Sequence, residues 1–148
     1  MKRPAALLVL LLSPFAGYPA STQPVVTLPP VSTITFTPGS IVTTTNGRLT
    51  PGGRDLYYVA AKAGQTLLVS VAAEGNVTFQ VYPPETTLAK AADGRPLITG
   101  KALPEAAPND NAKAWVGALP RNGNYLIAVG FADNATAPSA YALTVSLQ

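Results

Sequence analysis

Apolar and polar residues alternate with a period of two through most of the second half of this 148-residue chain. The runs "NYLIAVGF" (124–131) and "YALTVSL" (141–147) show it most clearly. They set Tyr125, Ile127, Val129 and Phe131, and then Tyr141, Leu143, Val145 and Leu147, on matching inward faces. Successive side chains of a strand point to opposite sides, so this spacing predicts half-buried strands. "RDLYYVAA" from Arg54 and "AKAWVGAL" from Ala112 read the same way. "TLLVSVA" from Thr66 places Leu67, Val69 and Val71 on one face. "NVTFQVY" from Asn76 points Val77, Phe79 and Val81 inward and Thr78, Gln80 and Tyr82 outward.

Turn signals separate these runs at short intervals: "KAGQ" at 62–65, Glu74-Gly75, "PRNG" at 120–123 and "ADNATAPS" at 132–139. Pro83-Pro84 forbids further ladder bonding after Tyr82. Residues 85–111 are the least regular stretch, with one short strand expected at 96–99 and a helical turn at "TLAKAA" (87–92). Upstream, "VSTITFT" (31–37) predicts one more strand, with Ile34 and Phe36 on the same side. Almost no segment offers the i, i+3, i+4 spacing of an amphipathic helix. The expected fold is all-β, an antiparallel β-sandwich of jelly-roll or Ig-like layout with about 7–8 short strands.

The N-terminus alters the picture of the surface. Lys2 and Arg3 precede eight apolar residues at 5–12 and a helix-breaking Ser13-Pro14, the layout of an export signal rather than a membrane anchor. We therefore divide the chain into a signal peptide (1–20), a Pro/Ser/Thr-rich arm with one strand (21–46) and a sandwich domain (47–148). Cleavage is expected between Gly17 and Ser21. Loss of the signal leaves eight basic residues against seven acidic, so the basic balance of the full chain largely belongs to the leader. No Lys or Arg cluster remains, which argues against a nucleic-acid partner. Charged residues make up only 11% of the chain and Cys is absent, so the exported fold rests on its apolar core. An extracytoplasmic location, without membrane insertion once the signal is removed, follows.

Composition also removes most chemistries. The chain has no His and no Cys, which eliminates Ser-His-Asp and Cys-His constellations and leaves only carboxylates for a metal. Most of the seven acidic residues sit beside Gly, Pro or Asn, where such residues stabilise turns. We expect no enzyme, no cofactor and no metal centre, with Asp110 and Asp133 in "PNDN" and "ADN" as weak calcium candidates. Trp115, Tyr57, Tyr125 and Tyr141 lie in alternating runs and read mainly as core or sheet-face residues. Outward-facing Tyr58 and Tyr82, beside Arg121 and Asn124, form a plausible contact patch, since interfaces enrich Tyr and Arg.

Together, Asp-x-Tyr at 55–57, Ala-Gly-Gln at 63–65, Leu-Pro-x-x-Gly-x-Tyr at 119–125 and the final Tyr-x-Leu-x-Val at 141–145 resemble the bacterial pre-peptidase C-terminal domain, an extracytoplasmic β-sandwich. The resemblance covers about 47–148 and carries no catalytic residue. A domain of this kind behind a signal peptide is also similar to the periplasmic inhibitors of goose-type lysozyme, through "AKAGQ", the Asp-x-Tyr strand, the Glu-Gly turn and the Leu-Pro turn. That similarity implies loops inserted into a lysozyme cleft, with arginines prominent, and here points to Tyr57 and Arg121. The loop at 131–139, "FADNATAPS", departs from it in carrying no Arg or Lys. The expected function is thus a non-catalytic binding module that recognises an extracytoplasmic protein, a lysozyme or an envelope protein, through its sandwich loops. The alternatives are inhibition of goose-type lysozyme specifically, and a structural or chaperone-like domain related to secreted peptidases. Oligomeric state is left open.

Overall fold

The apolar alternation resolves into two stacked four-stranded sheets in a computed structural model that describes residues 29–148. The expected signal peptide and the first part of the expected arm lie outside the described residues. The strands are β1 (Ser32–Thr33), β2 (Val42–Leu49), β3 (Arg54–Ala61), β4 (Thr66–Ala73), β5 (Val77–Tyr82), β6 (Thr87–Lys90), β7 (Pro96–Thr99), β8 (Ala114–Ala118), β9 (Gly123–Phe131) and β10 (Ser139–Leu147). One sheet has the order β1-β3-β9-β5 and the other β2-β10-β4-β8, while β6 and β7 form a separate hairpin. Apart from that hairpin, each connection passes from one sheet to the other, so the turns gather at the two ends of the sandwich. All ladders are antiparallel except β1 with β3.

The main core lies between the sheets. Val59, Val77, Phe79, Val81, Tyr125, Ile127 and Val129 of the first sheet meet Leu67, Val69, Trp115, Tyr141, Leu143 and Val145 of the second. The inward faces read from the sequence are therefore those that pack, with Phe131, Leu147 and Val71 at the partly buried margin. Burying one Val, Leu or Ile side chain is worth about 1.5–3 kcal/mol, so these strands are held chiefly by this layer. The Trp115 indole donates to the Pro104 carbonyl at 2.9 Å, giving its one polar atom a partner.

Four features differ from the sequence expectation. The described chain has ten strands rather than 7–8, and β2 begins at Val42, inside the stretch read as an arm. Its inward positions are Thr43, Thr45, Gly47 and Leu49, too polar to show an apolar period. The strand expected at 31–37 is reduced to the two residues of β1, after which the Ile34 N–H donates to the Tyr58 carbonyl. "TLAK" is β6 rather than a helical turn, because it pairs residue for residue with β7.

The fourth difference concerns Tyr82. The β6–β7 hairpin lies over the outer face of the first sheet, and Leu88 and Ile98 pack there against Leu56, Tyr82, Leu126 and Ala128. Tyr82, expected to face solvent, is buried at 5% exposure, as is Thr78 at 6%. The period-two reading assigned one wet face to a sheet that is covered on both.

Candidate functional site

The β2–β3 turn (50–53), the β4–β5 turn (74–76) and the β9–β10 loop (132–138) meet at one end of the sandwich, and the tip of the β6–β7 hairpin (91–95) leans against them. Three clefts open there.

Two tight turns create the first two. In Thr50-Pro51-Gly52-Gly53, the Gly53 N–H donates to the Thr50 carbonyl at 2.8 Å and Gly52 takes φ +73°. Proline at the second place and a left-handed glycine at the third are the requirements of a type II turn. The turn delivers Arg54 to the head of β3. In the hairpin tip, the Gly94 N–H donates to the Ala91 carbonyl, and Asp93 accepts the Arg95 N–H at 3.0 Å while pairing with the Arg95 Nε at 3.3 Å. Asp93 thus fixes the direction in which Arg95 leaves the tip.

Arg54 and Arg95 stand on the ridge between a cleft of about 490 Å³, which also includes Tyr57, Asp55 and Ser32, and one of about 340 Å³ closed by Phe131, Asp133 and Asn134. The third cleft, of about 470 Å³, runs between Arg48, Glu74 and the β9–β10 loop. The loop that lacks arginine is therefore flanked by Arg48 of β2, Arg54 of β3 and Arg95 of the hairpin. Neither Arg48 nor Arg54 forms an ion pair among the described residues. A guanidinium presents five donors in a planar fork suited to carboxylates.

Below the first cleft lies a buried polar relay. The Tyr141 hydroxyl donates to Asp55 Oδ2 at 2.5 Å and lies 2.5 Å from the Tyr57 hydroxyl. With the single proton of Tyr141 given to Asp55, the Tyr57 hydroxyl is the donor to Tyr141. Burial raises both phenol pKa values above the ordinary 10.0, and the neighbouring Asp55 charge adds to the rise. Both carboxylates that line the first cleft are engaged by donors of the chain, Asp55 by Tyr141 and Asp93 by Arg95.

The residues singled out from the sequence fall in three places. Tyr57 lines the first cleft, with its ring turned into the core at 8% exposure. Tyr58 and Tyr82 lie on the opposite face of their sheet, packed at the hairpin cluster, with the Tyr82 hydroxyl donating to Gln80 at 2.8 Å. Arg121 and Asn124 are exposed at the far end, where Arg121 pairs with Glu85 at 3.1 Å. There the Tyr125 hydroxyl donates to the Arg121 carbonyl and accepts its N–H, which staples the β8–β9 turn. Of the contact patch expected from Tyr58, Tyr82, Arg121 and Asn124, Tyr82 is buried and Tyr58 half-buried at the hairpin cluster, while Arg121 and Asn124 stay exposed, with Asn124 two residues along β9 from Leu126, which pairs with both tyrosines. Ala61 pairs with Gly123 and Tyr57 with Ile127, so the Tyr57 level and the Arg121 turn are separated by at least ~13 Å along the ladder.

Asp110 and Asp133 are also apart in their roles. Asp110 accepts the Ala107 N–H at 2.8 Å within its own turn, and Asp133 faces Asn76 at 3.5 Å. Among the described residues no three acidic side chains gather as metal ligands, and no helix is long and apolar enough to cross a membrane. Sequence reading missed Arg54 and Arg95; their signals were the Pro-Gly-Gly and Asp-Gly turns beside them.

No family model matches this sequence, and no curated protein matches it. Among solved structures, the chain is similar to Aeromonas hydrophila PliG, a periplasmic lysozyme inhibitor of g-type lysozyme. That likeness has a TM-score of 0.60 at 28% identity and covers 80% of this chain and 96% of that one. Salmonella Typhimurium PliG, described in the same words, matches with a TM-score of 0.56 at 19% identity over 80% of this chain and 97% of its own, a likeness of fold. The pre-peptidase C-terminal domain of a Bacillus anthracis collagenase is also similar, with a TM-score of 0.47 at 18% identity over 79% and 95%. The inhibitor group named from the sequence motifs is thus among the solved structures that this chain resembles.

Proposed function

We propose that this chain is an exported, non-catalytic binding protein that inhibits g-type lysozyme by seating the β9–β10 end of its sandwich in the enzyme's cleft. The observation that carries the reading is the likeness to the Aeromonas inhibitor, at 28% identity over 96% of that chain. The site chemistry supports it. Glycoside hydrolysis generally runs on a pair of carboxylates, so a lysozyme cleft presents anionic groups to whatever enters it. Arg54 and Arg95, with Arg48 beyond the loop, offer guanidinium donors at the rim of the three clefts. Charge-assisted bidentate bonds of this kind combine strength with a fixed geometry. Arginines from three separate elements here take the place of arginines in the loop itself.

The test is a turbidity assay of peptidoglycan lysis by goose-type, chicken-type and invertebrate-type lysozymes, with and without the purified exported chain. Protection confined to the goose type is expected. Unchanged lysis by the goose type at a large molar excess of the chain overturns the reading.

A further inference from the structure

β2 is an edge strand, and among the described residues no strand pairs with its outer side; residues 32–35 stand across a cleft of about 240 Å³ from residues 43–46. Every other strand edge of the sandwich is short or covered. β1 has two residues, β6 and β7 have four each with Pro96 among them, and β8 has five. The edge of β5 is paired to the following loop: Phe79 N–H donates to the Ala112 carbonyl, Val81 N–H to the Ala106 carbonyl, and Leu103 N–H to the Val81 carbonyl. β2 has eight residues and, among the described residues, pairs with β10 alone. It contains no Pro, no Lys and no acidic residue, the usual means by which a long edge is protected from pairing.

The direction of its free groups follows from its neighbours. The Ile41 carbonyl accepts the Leu147 N–H of β10, so in an antiparallel ladder Thr43, Thr45, Gly47 and Leu49 also face β10. Val42, Thr44, Asn46 and Arg48 therefore turn their N–H and C=O groups outward. Val42 has both groups occupied by the Ser40 hydroxyl. Thr44, Asn46 and Arg48 have no backbone partner on that side among the described residues.

We infer that two copies of this chain associate by antiparallel pairing of their β2 strands about a two-fold axis at Asn46, joining the two outer sheets into one of eight strands. In this register Asn46 faces its own symmetry mate and Thr44 faces Arg48 of the second copy. All three residues with open groups are then used, and the surface is self-complementary, as an isologous contact requires. The charges agree with it. Arg48 is the only charged residue of β2, and in this register the two guanidinium-bearing positions stand about four residues apart along the ladder, ~14 Å, beyond the screening length of physiological salt. The neighbouring Thr44 and Thr144 hydroxyls, 3.0 Å apart, leave the outer face beside the seam uncharged.

Sedimentation equilibrium of the exported full chain tests this. The unmodified protein should rise from the mass of one chain to that of two as concentration increases. Asn46→Asp and Asn46→Lys, both at an exposed position, each place like charges at the axis, and each should remain at the mass of one chain. An equimolar mixture of the two should regain the doubled mass. Thr44→Pro, which removes an outward N–H that the internal ladder does not use, should halve the mass reached by the unmodified chain while leaving the circular dichroism spectrum unchanged. A single-chain mass for the unmodified protein up to millimolar concentration overturns the proposal. So does a mixture that behaves as its separate components.

Discussion

Tyr141 and Tyr57 join the two sheets through a hydroxyl–hydroxyl contact of 2.5 Å between residues 84 positions apart in the chain. The relay ends on Asp55, so Tyr141 serves two partners and Tyr57 one. Tyr141→Phe strands the Tyr57 donor and takes a donor from Asp55, whereas Tyr57→Phe leaves the bond from Tyr141 to Asp55 intact. A buried group deprived of its partner costs about 1–3 kcal/mol. Tyr141→Phe is expected to destabilise by about 2–3 kcal/mol and Tyr57→Phe by about 1 kcal/mol in urea unfolding, and the reverse order would refute the direction assigned to the relay.

The same pair sets the alkaline limit of stability. Burial raises the pKa of Tyr57 and Tyr141 in the folded chain, and that of Tyr82 beneath the hairpin, above the unfolded value of 10.0. Above pH 10 the unfolded chain releases protons that the folded chain retains, so unfolding becomes easier as pH rises. Below pH 10 both states hold these protons and the tyrosines contribute no pH dependence. Thermal melts from pH 8 to 11.5 should show a flat region followed by a decline. The decline should be shallower in the Tyr141→Phe, Tyr57→Phe double variant than in the unmodified chain.

Gly47 is present because the Tyr141 ring crosses it. A Cβ at this position would fall within steric exclusion of the Tyr141 ring, against Cζ and the hydroxyl. The ring cannot yield without breaking its bonds to Asp55 and Tyr57. Overpacking of this kind costs about 1–3 kcal/mol, and Gly47→Ala is expected at the upper end of that range. Paired with Tyr141→Leu, which removes the ring, the alanine should cost less than 1 kcal/mol on a roughly additive scale, a coupling that a double-mutant cycle measures.

The apolar strands were legible because their inward faces are continuous: Leu67, Val69 and Val71, or Tyr125, Ile127 and Val129, announce the period directly. β2 was not, since Thr43, Thr45 and Gly47 face inward and Gly47 is explained only by a ring contributed from the other end of the chain. Tyr82 was assigned to solvent because alternation identifies two faces without saying what covers the second. The role of "TLAK" depends on Pro96–Thr99 folding back beside it, a pairing that no local pattern encodes. The candidate site was hidden for the same reason. Arg54 and Arg95 belong to different turns and meet only because the hairpin lies on the sheet.

Under the proposed inhibition of goose-type lysozyme, that meeting distinguishes the two ends of the molecule. Arg121, at the far end, spends its guanidinium on Glu85 in an exposed pair, and such pairs contribute about 0–1 kcal/mol. Arg121→Ala should therefore leave both the melting curve and any protection against goose-type lysozyme close to those of the unmodified chain. Arg54 has no carboxylate partner among the described residues and stands at the rim of two clefts. A hydrogen bond to a charged group is worth about 1.5–3 kcal/mol, so Arg54→Ala should raise the inhibition constant by roughly one to two orders of magnitude. Arg54→Lys, which keeps the charge but loses the fork, should recover only part of that loss. Titrations of lytic activity against each variant measure the three constants. Loss of protection with Arg121→Ala and its retention with Arg54→Ala would move the contact to the β8–β9 turn.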